Sequence, residues 1–157
     1  MVKTLSGEPQ GAGRKVAVVA SRFNIEVVEK LVEGAVESLS RHGVAVNDTV
    51  VVWVSGAWEI PAAVRALAKK GAWDGFVALG AIIQGETTHH EHLGREVAAS
   101  LMRFMDETGR PVAFGVLTCD TEEKAFARAG GDVGHKGVEC VEALLETLDV
   151  LRKINKS

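Results

Sequence analysis

Cysteine and clustered positive charge are both scarce in this 157-residue chain, and each shortage removes a class of function. The two cysteines, Cys119 and Cys140, have neither the paired spacing of a metal site nor the density of a disulfide framework. They suit a reducing cytoplasm and are expected to be buried small apolar residues. The 18 lysines and arginines stand against 21 aspartates and glutamates, a formal net charge of -3, and form no basic run. That scatter argues against a nucleic-acid partner, so any bound anion must be gripped locally. No N-terminal apolar stretch resembles a signal peptide and no segment is long enough to span a bilayer. The expectation is a soluble cytoplasmic protein with no membrane partner. Gly-x-Gly-x-x-Gly is missing, which leaves a dinucleotide site little support, and so is His-Glu-x-x-His. Internal repeats and low-complexity segments are absent too.

What is present is 46% hydrophobic residue, ample for the core of a single domain spanning 1–157. Residues 1–13, with Gly7, Pro9, Gly11 and Gly13, read as a loose N-terminal arm, free to add an edge strand to a neighbouring subunit. Buried-strand patterns follow at Lys15 to Ala20, Thr49 to Val54, Phe76 to Ile83 and Val112 to Thr118. Helical spacing runs from about Ile25 to His42, Glu59 to Lys70, His90 to Thr108 and Lys136 to Lys153. Gly43 and Gly71 stop the first two, and Pro61 sits in a first turn where it is tolerated. A short helix opens at Thr121 and ends near Gly130. Strands alternating with helices predict an α/β fold, a three-layer α/β/α sandwich with a four-stranded parallel sheet in flavodoxin-like order.

In such a sheet three loops converge beyond the strand ends: Ser21-Arg22-Phe23-Asn24, Ser55-Gly56-Ala57-Trp58-Glu59 and Gly85-Glu86-Thr87-Thr88-His89. Phe23 or Trp58 offers a stacking face for a planar heterocycle, and Glu59 a hydrogen-bond acceptor. His89 is able to exchange protons near neutral pH. Each residue also has a plain structural role open to it. Phe23 and Trp58 alone would be packing residues, Glu59 would favour a helix N-terminus, and Arg128 would complement a helix end. His89, His90 and His92 with Glu91 invite comparison with a metal site, but two adjacent helical residues diverge by roughly 100°. A solvated helix start accounts for them as well, and the expectation is no metal.

The motifs Ala20-Ser21-Arg22-Phe23-Asn24, Gly56-Ala57-Trp58-Glu59-Ile60-Pro61, Gly80 to His89, Phe114 to Thr118 and Arg128-Ala129-Gly130 before Lys136-Gly137 occur in order. Through them the chain resembles the 6,7-dimethyl-8-ribityllumazine synthase family over about residues 15 to 152. The resemblance implies condensation of 5-amino-6-ribitylaminouracil with 3,4-dihydroxy-2-butanone 4-phosphate, releasing phosphate and water, with no cofactor. It implies Phe23 stacked on the pyrimidine, with Ala57, Trp58 and Glu59 on the ring edge and ribityl chain. Backbone groups of Ala81, Ile82 and Ile83 would line the heterocycle, and Phe114 would arrive from a neighbouring subunit. Glu86, Thr87 and Arg128 would bind the ketone phosphate, His89 would donate the proton, and Gly85 and Lys136 would support the site. The implied partners are two small-molecule substrates and further copies of the chain, as a homopentamer that in shell-forming members closes to sixty subunits. An association with riboflavin synthase belongs to the same implication. Gln84, His90 and His135 depart from the residues usual in the family. A flavin- or nucleotide-binding module of the same topology is a second reading, favoured if a chromophore co-purifies. A shell-forming homologue without activity is a third, disfavoured by the joint presence of Phe23, Glu59, His89 and Arg128.

Overall fold

The structure, a computed structural model, describes all 157 residues. Four strands form one parallel sheet: β1 (Val16–Ser21), β2 (Thr49–Val54), β3 (Gly75–Ile83) and β4 (Val112–Cys119), in the order β2-β1-β3-β4. β1 sits between β2 and β3, pairing Val18 with Val51 on one side and Val77 on the other. Helices cover both faces. On one lie α1 (Ile25–Arg41), α4 (Glu122–Ala127) and α5 (Lys136–Lys156), and on the other α2 (Ile60–Lys70) and α3 (His89–Thr108). This is the expected three-layer flavodoxin-like sandwich.

The apolar runs of the central strands divide between two cores. Val16, Val18 and Ala20 of β1, with Val77 and Leu79 of β3, face α1 and α5, whereas Ala17, Val19, Phe76 and Ala78 face α2 and α3. A strand covered on both sides has no solvent face, so the alternation that usually marks a strand disappears from β1 and most of β3. The edge strand β4 does not alternate either: Phe114 is 41% exposed although Val112 and Val116, on the same face, are buried. On the α2–α3 side, Phe76 and Phe104 meet edge to face with ring centroids 5.4 Å apart.

The helix ends follow their local chemistry. Gly43 and Gly109 close α1 and α3 at φ 95° and 69°, conformations that cost glycine little. Thr121 Oγ1 accepts the Lys124 N–H at 3.2 Å to cap α4. Two expectations need correction. The helix placed from Glu59 begins as a 3₁₀ turn at Ala57–Glu59, with α2 proper starting at Ile60. The helix carried towards Gly130 stops at Ala127, after which the chain forms an antiparallel ribbon, β5 (Ala129–Gly131) with β6 (Gly134–His135). Both cysteines are buried and unpaired, and burial pushes the Cys140 thiol up to about 11. No helix is long and apolar enough to cross a membrane.

The first ten residues have no regular structure, yet they are fastened along α5. The Glu8 N–H donates to Asp149 Oδ2 at 3.0 Å, and Lys153 Nζ donates to the Ser6 carbonyl at 2.8 Å. A side chain on Gly7 would run into the Glu146 carbonyl. Asp149 also accepts from Arg152 at 2.7 Å, and the Arg152 guanidinium, then the Glu8 N–H and Lys153, hold its carboxyl well below the usual carboxylate range. A lowered folded value means that the stabilisation is present above the unfolded carboxylate value, near ~3.9, and is lost as pH falls through the folded value. Asp149→Asn should therefore speed amide exchange at Glu8 and its neighbours at pH 7 while β1 and β3 stay protected, as followed by hydrogen exchange. Unchanged exchange at Glu8 would show that another contact holds the arm.

Candidate active site

Parallel pairing brings the carboxyl ends of β1, β2 and β3 to one edge, and the loops that leave them are tied to one another. The Arg22 N–H donates to the Val54 carbonyl at 2.8 Å and the Phe23 N–H to the Ser55 carbonyl at 3.1 Å, carrying the β1–β2 pairing on into the loops. Asn24 then turns into the left-handed region at φ 59° and sends its side chain across the strand ends. Its Nδ2 donates to the Ala81 carbonyl of β3 at 2.7 Å. The neighbouring Phe23 ring is left 72% exposed above the sheet edge.

The second loop is held by Glu59, whose Oε2 accepts the Gly56 N–H at 3.0 Å while its own N–H donates to the Gly56 carbonyl. Its role at the helix start is therefore real, and it leaves the second carboxylate oxygen for other partners. Trp58, 64% exposed, stands beside it, while Ala57 is packed into the α2–α3 core. The third loop leaves β3 where the Gln84 N–H donates to the Cys119 carbonyl. Thr87 Oγ1 accepts the His89 N–H at 3.3 Å where the loop enters α3. A Cβ on Gly85 would meet nothing within 4 Å, so its backbone borders open space.

These three loops enclose a cleft of about 440 Å³. Phe23, Trp58, Glu59, Ala81, Ile82, Ile83, Gly85, Thr87 and His89, all named from the sequence, line it together with Gly56, His90 and Leu93. Its floor is the backbone and apolar side chains at the end of β3, its rim two aromatic rings, and its polar side-chain groups a carboxylate, a hydroxyl and two imidazoles. None of the 12 lining residues is a lysine or arginine.

The remaining sequence-predicted residues lie elsewhere in the chain. Phe114 is on the outer edge strand, with its backbone paired to Ala78 well below the strand ends. Arg128 follows α4 and donates from Nη1 to the Lys124 carbonyl at 3.0 Å. Lys136 opens α5 and lies 3.6 Å from Glu139. Glu86 is exposed but does not line the cleft. His89, His90, His92 and Glu91 do not come together as a group of three metal donors, and His92 Nε2 instead lies 3.3 Å from Thr88 Oγ1. Sequence reasoning missed Asn24 as a residue that shapes the site. The signal was an asparagine between a strand and a helix, a residue that tolerates left-handed backbone. His90, a departure from the family that the sequence places at a solvated helix start, instead lines the cleft, and its Nδ1 is buried without a hydrogen-bond partner.

The sequence profile of the 6,7-dimethyl-8-ribityllumazine synthase family matches residues 13–152. The chain belongs to that family. Similar curated relatives carry the same name throughout. One from Desulfovibrio desulfuricans is 43% identical over 153 residues, covering 98% of each chain. One from Gemmatimonas aurantiaca is 48% identical over 145 residues, 92% of this chain and 88% of its own. A third, from Lactiplantibacillus plantarum, is 44% identical over 154 residues, 98% of this chain and 97% of its own. The matched span in the lumazine synthase profile contains every element of the sheet and both sides of the cleft.

The Asn24 bridge makes a separable prediction. Asn24→Gly keeps the left-handed turn but deletes the bond to Ala81, and should cost about 1 kcal/mol. Asn24→Ala should cost roughly 1–2 kcal/mol more, because a side chain with Cβ is strained at that backbone angle. Denaturant unfolding at fixed protein concentration checks the order; equal losses would mean that the backbone angle is not under constraint.

Proposed function

We propose that this cleft joins 5-amino-6-ribitylaminouracil to 3,4-dihydroxy-2-butanone 4-phosphate, forming 6,7-dimethyl-8-ribityllumazine with release of phosphate and water. The observation that carries the reading is the cleft itself: a stacking ring, a carboxylate and an imidazole converging on the end of a strand with apolar side chains, in a chain whose family carries the name of this product. Phe23 stacks on the pyrimidine, and the Ala81, Ile82 and Ile83 backbone runs along its edge. Trp58, Glu59 and the backbone of Ala57 receive the ribityl hydroxyls and ring N–H groups. The open backbone at Gly85, with that of Glu86 and Thr87, meets the phosphorylated ketone. A peptide N–H rather than the Glu86 carboxylate makes the contact, since two anions would repel.

Imine formation, phosphate elimination and ring closure each move a proton, and His89, the one of the two cleft imidazoles that the family motif singles out, gives and takes it beside Thr87. Holding amine and ketone together supplies much of the acceleration, because it turns a bimolecular encounter into an intramolecular step.

A dianionic phosphate needs a fixed cation, and the cleft of one chain has none. We therefore assign Arg128 and Lys136, with Phe114, to the cleft of a neighbouring copy. All three lie outside their own cleft, and Phe114 is an uncovered aromatic on an edge strand. The arrangement is heterologous, each chain giving one face and receiving another, which closes as a ring. The family points to a pentamer. The short β5–β6 turn, only Asp132 and Val133 between the two strands, favours closure of pentamers into a sixty-subunit shell that could associate with riboflavin synthase. Two buried free thiols fit a cytoplasmic setting.

His89→Gln should lower turnover by about 10²-fold, the low end for a general acid, with pyrimidine affinity kept. An unchanged steady-state rate would remove the assigned role. Arg128→Ala should raise the KM for the ketone phosphate by roughly 1.5–3 kcal/mol of lost binding and leave that for the pyrimidine nearly alone. Equal weakening of both would indicate a general defect instead. Co-assembly of His89→Gln with Arg128→Ala chains should restore about a quarter of the sites, those pairing an intact cleft with an intact Arg128. Absence of recovery in assemblies shown to be mixed would mean that each chain completes its own site.

A further inference from the structure

We propose that His135 is a positioning residue for the phosphate end of the site, acting through the backbone that carries Arg128. This rests on the reading of Arg128 as the phosphate residue. The β5–β6 ribbon that follows Arg128 is only three residues against two, too short to hold its own shape. Its base is closed by the Lys136 N–H donating to the Arg128 carbonyl at 2.8 Å, and its turn is tied back to α4 by the Val133 N–H donating to the Ala127 carbonyl at 2.9 Å. His135 lies between those ties, paired with Ala129 through the backbone.

Its ring fills a seat walled by three glycines from three elements. A side chain on Gly34, in the middle of α1, would overlap the imidazole. A Cβ on Gly130 of β5 would stand 3.2 Å from its Cδ2, and one on Gly137 of α5 3.1 Å from its Cε1. Gly130 is also required by its φ of 101°, and Gly137 by the close approach of the Leu31 carbonyl. At Gly34 the φ is not positive, and the three atoms nearest to an added Cβ all belong to the His135 ring. Gly34 occupies a helix interior, where glycine weakens the helix, and the ring takes the space of the missing side chain. His135 Nδ1 also faces the Val138 N–H at 3.4 Å, capping α5. One side chain thus touches α1, the ribbon and α5 at the point where the Arg128 main chain is fastened. Removing the ring leaves the ribbon held by Ala129 in the core and by the Val133 bond to Ala127 but without its side-chain link to α1 and the start of α5, so that Arg128 loses part of its fixed origin while the cleft, built on other loops, is untouched.

The test measures KM for each substrate separately in the assembled protein for Arg128→Ala, His135→Ala, His135→Asn, Gly34→Ala and the pair Gly34→Ala with His135→Ala. His135→Ala should raise the KM for the ketone phosphate about fivefold, the worth of one well-placed cap or contact, with the pyrimidine KM within about twofold. His135→Asn, which still caps α5 but leaves the seat empty, should recover part of that loss. Gly34→Ala, which favours the helix but displaces the ring, should raise the ketone KM in the parent and add nothing once His135 is alanine. If Arg128→Ala raises the ketone KM while His135→Ala does not, the positioning role is overturned and the phosphate reading stands. If Arg128→Ala itself leaves that KM unchanged, the phosphate reading falls first and the proposal with it. Full recovery by His135→Asn with a silent Gly34→Ala would reduce His135 to a helix cap and overturn the proposal. Should His135→Ala not assemble, the Gly34→Ala and His135→Asn comparison still decides.

Discussion

Parallel pairing of β1 with both β2 and β3 is the constraint from which the chemistry follows. It forces helical crossovers onto both faces, removes solvent from the central strands and delivers three carboxyl ends to one edge. Because that edge carries no further ladder, its backbone groups must be satisfied by the loops themselves. The Arg22 and Phe23 N–H groups do this for β2, Asn24 for the Ala81 carbonyl, and Gln84 for β4. The cleft is therefore bounded by backbone already fixed before any substrate arrives, which is what an entropic catalyst requires.

Much of this frame was legible in the chain. Continuous apolar runs of six to nine residues between glycine- and proline-marked turns can be read as doubly covered strands because helices of that composition would need to be longer. Alternation of element types pointed to a parallel sheet, for which flavodoxin-like order was the expectation. What escaped was local geometry without a periodic signature. Three of the five residues in the β5–β6 ribbon are glycine, so it shows no alternation of faces. The turn at Ala57–Glu59 is too short for a period, and its 3₁₀ character depends on Glu59 reaching back to Gly56.

The site divides in the same way. That three loops meet is a property of topology and could be read from element order; which residues carry which role came from the linked motifs, not from composition. The Asn24 bond to Ala81 needs the β1–β3 register, 57 residues apart in sequence, and no local pattern contains it. The His135 seat requires α1, the ribbon and α5 to be packed first. Nor does the sequence say that Arg128 lies outside the cleft of its own chain, because a motif gives residue order and not the direction in which an edge faces.

The cation-free cleft has a genetic consequence. If each chain lends Arg128 and Phe114 to one neighbour and borrows them from another, a chain damaged on both faces silences two sites rather than one. In a cell making equal amounts of such a chain and the intact one, freely mixed rings would keep about a quarter of their sites, not half. An assembling allele that damages both faces would then behave as dominant negative, whereas one that damages a single face, or that unfolds, would leave about half of the sites.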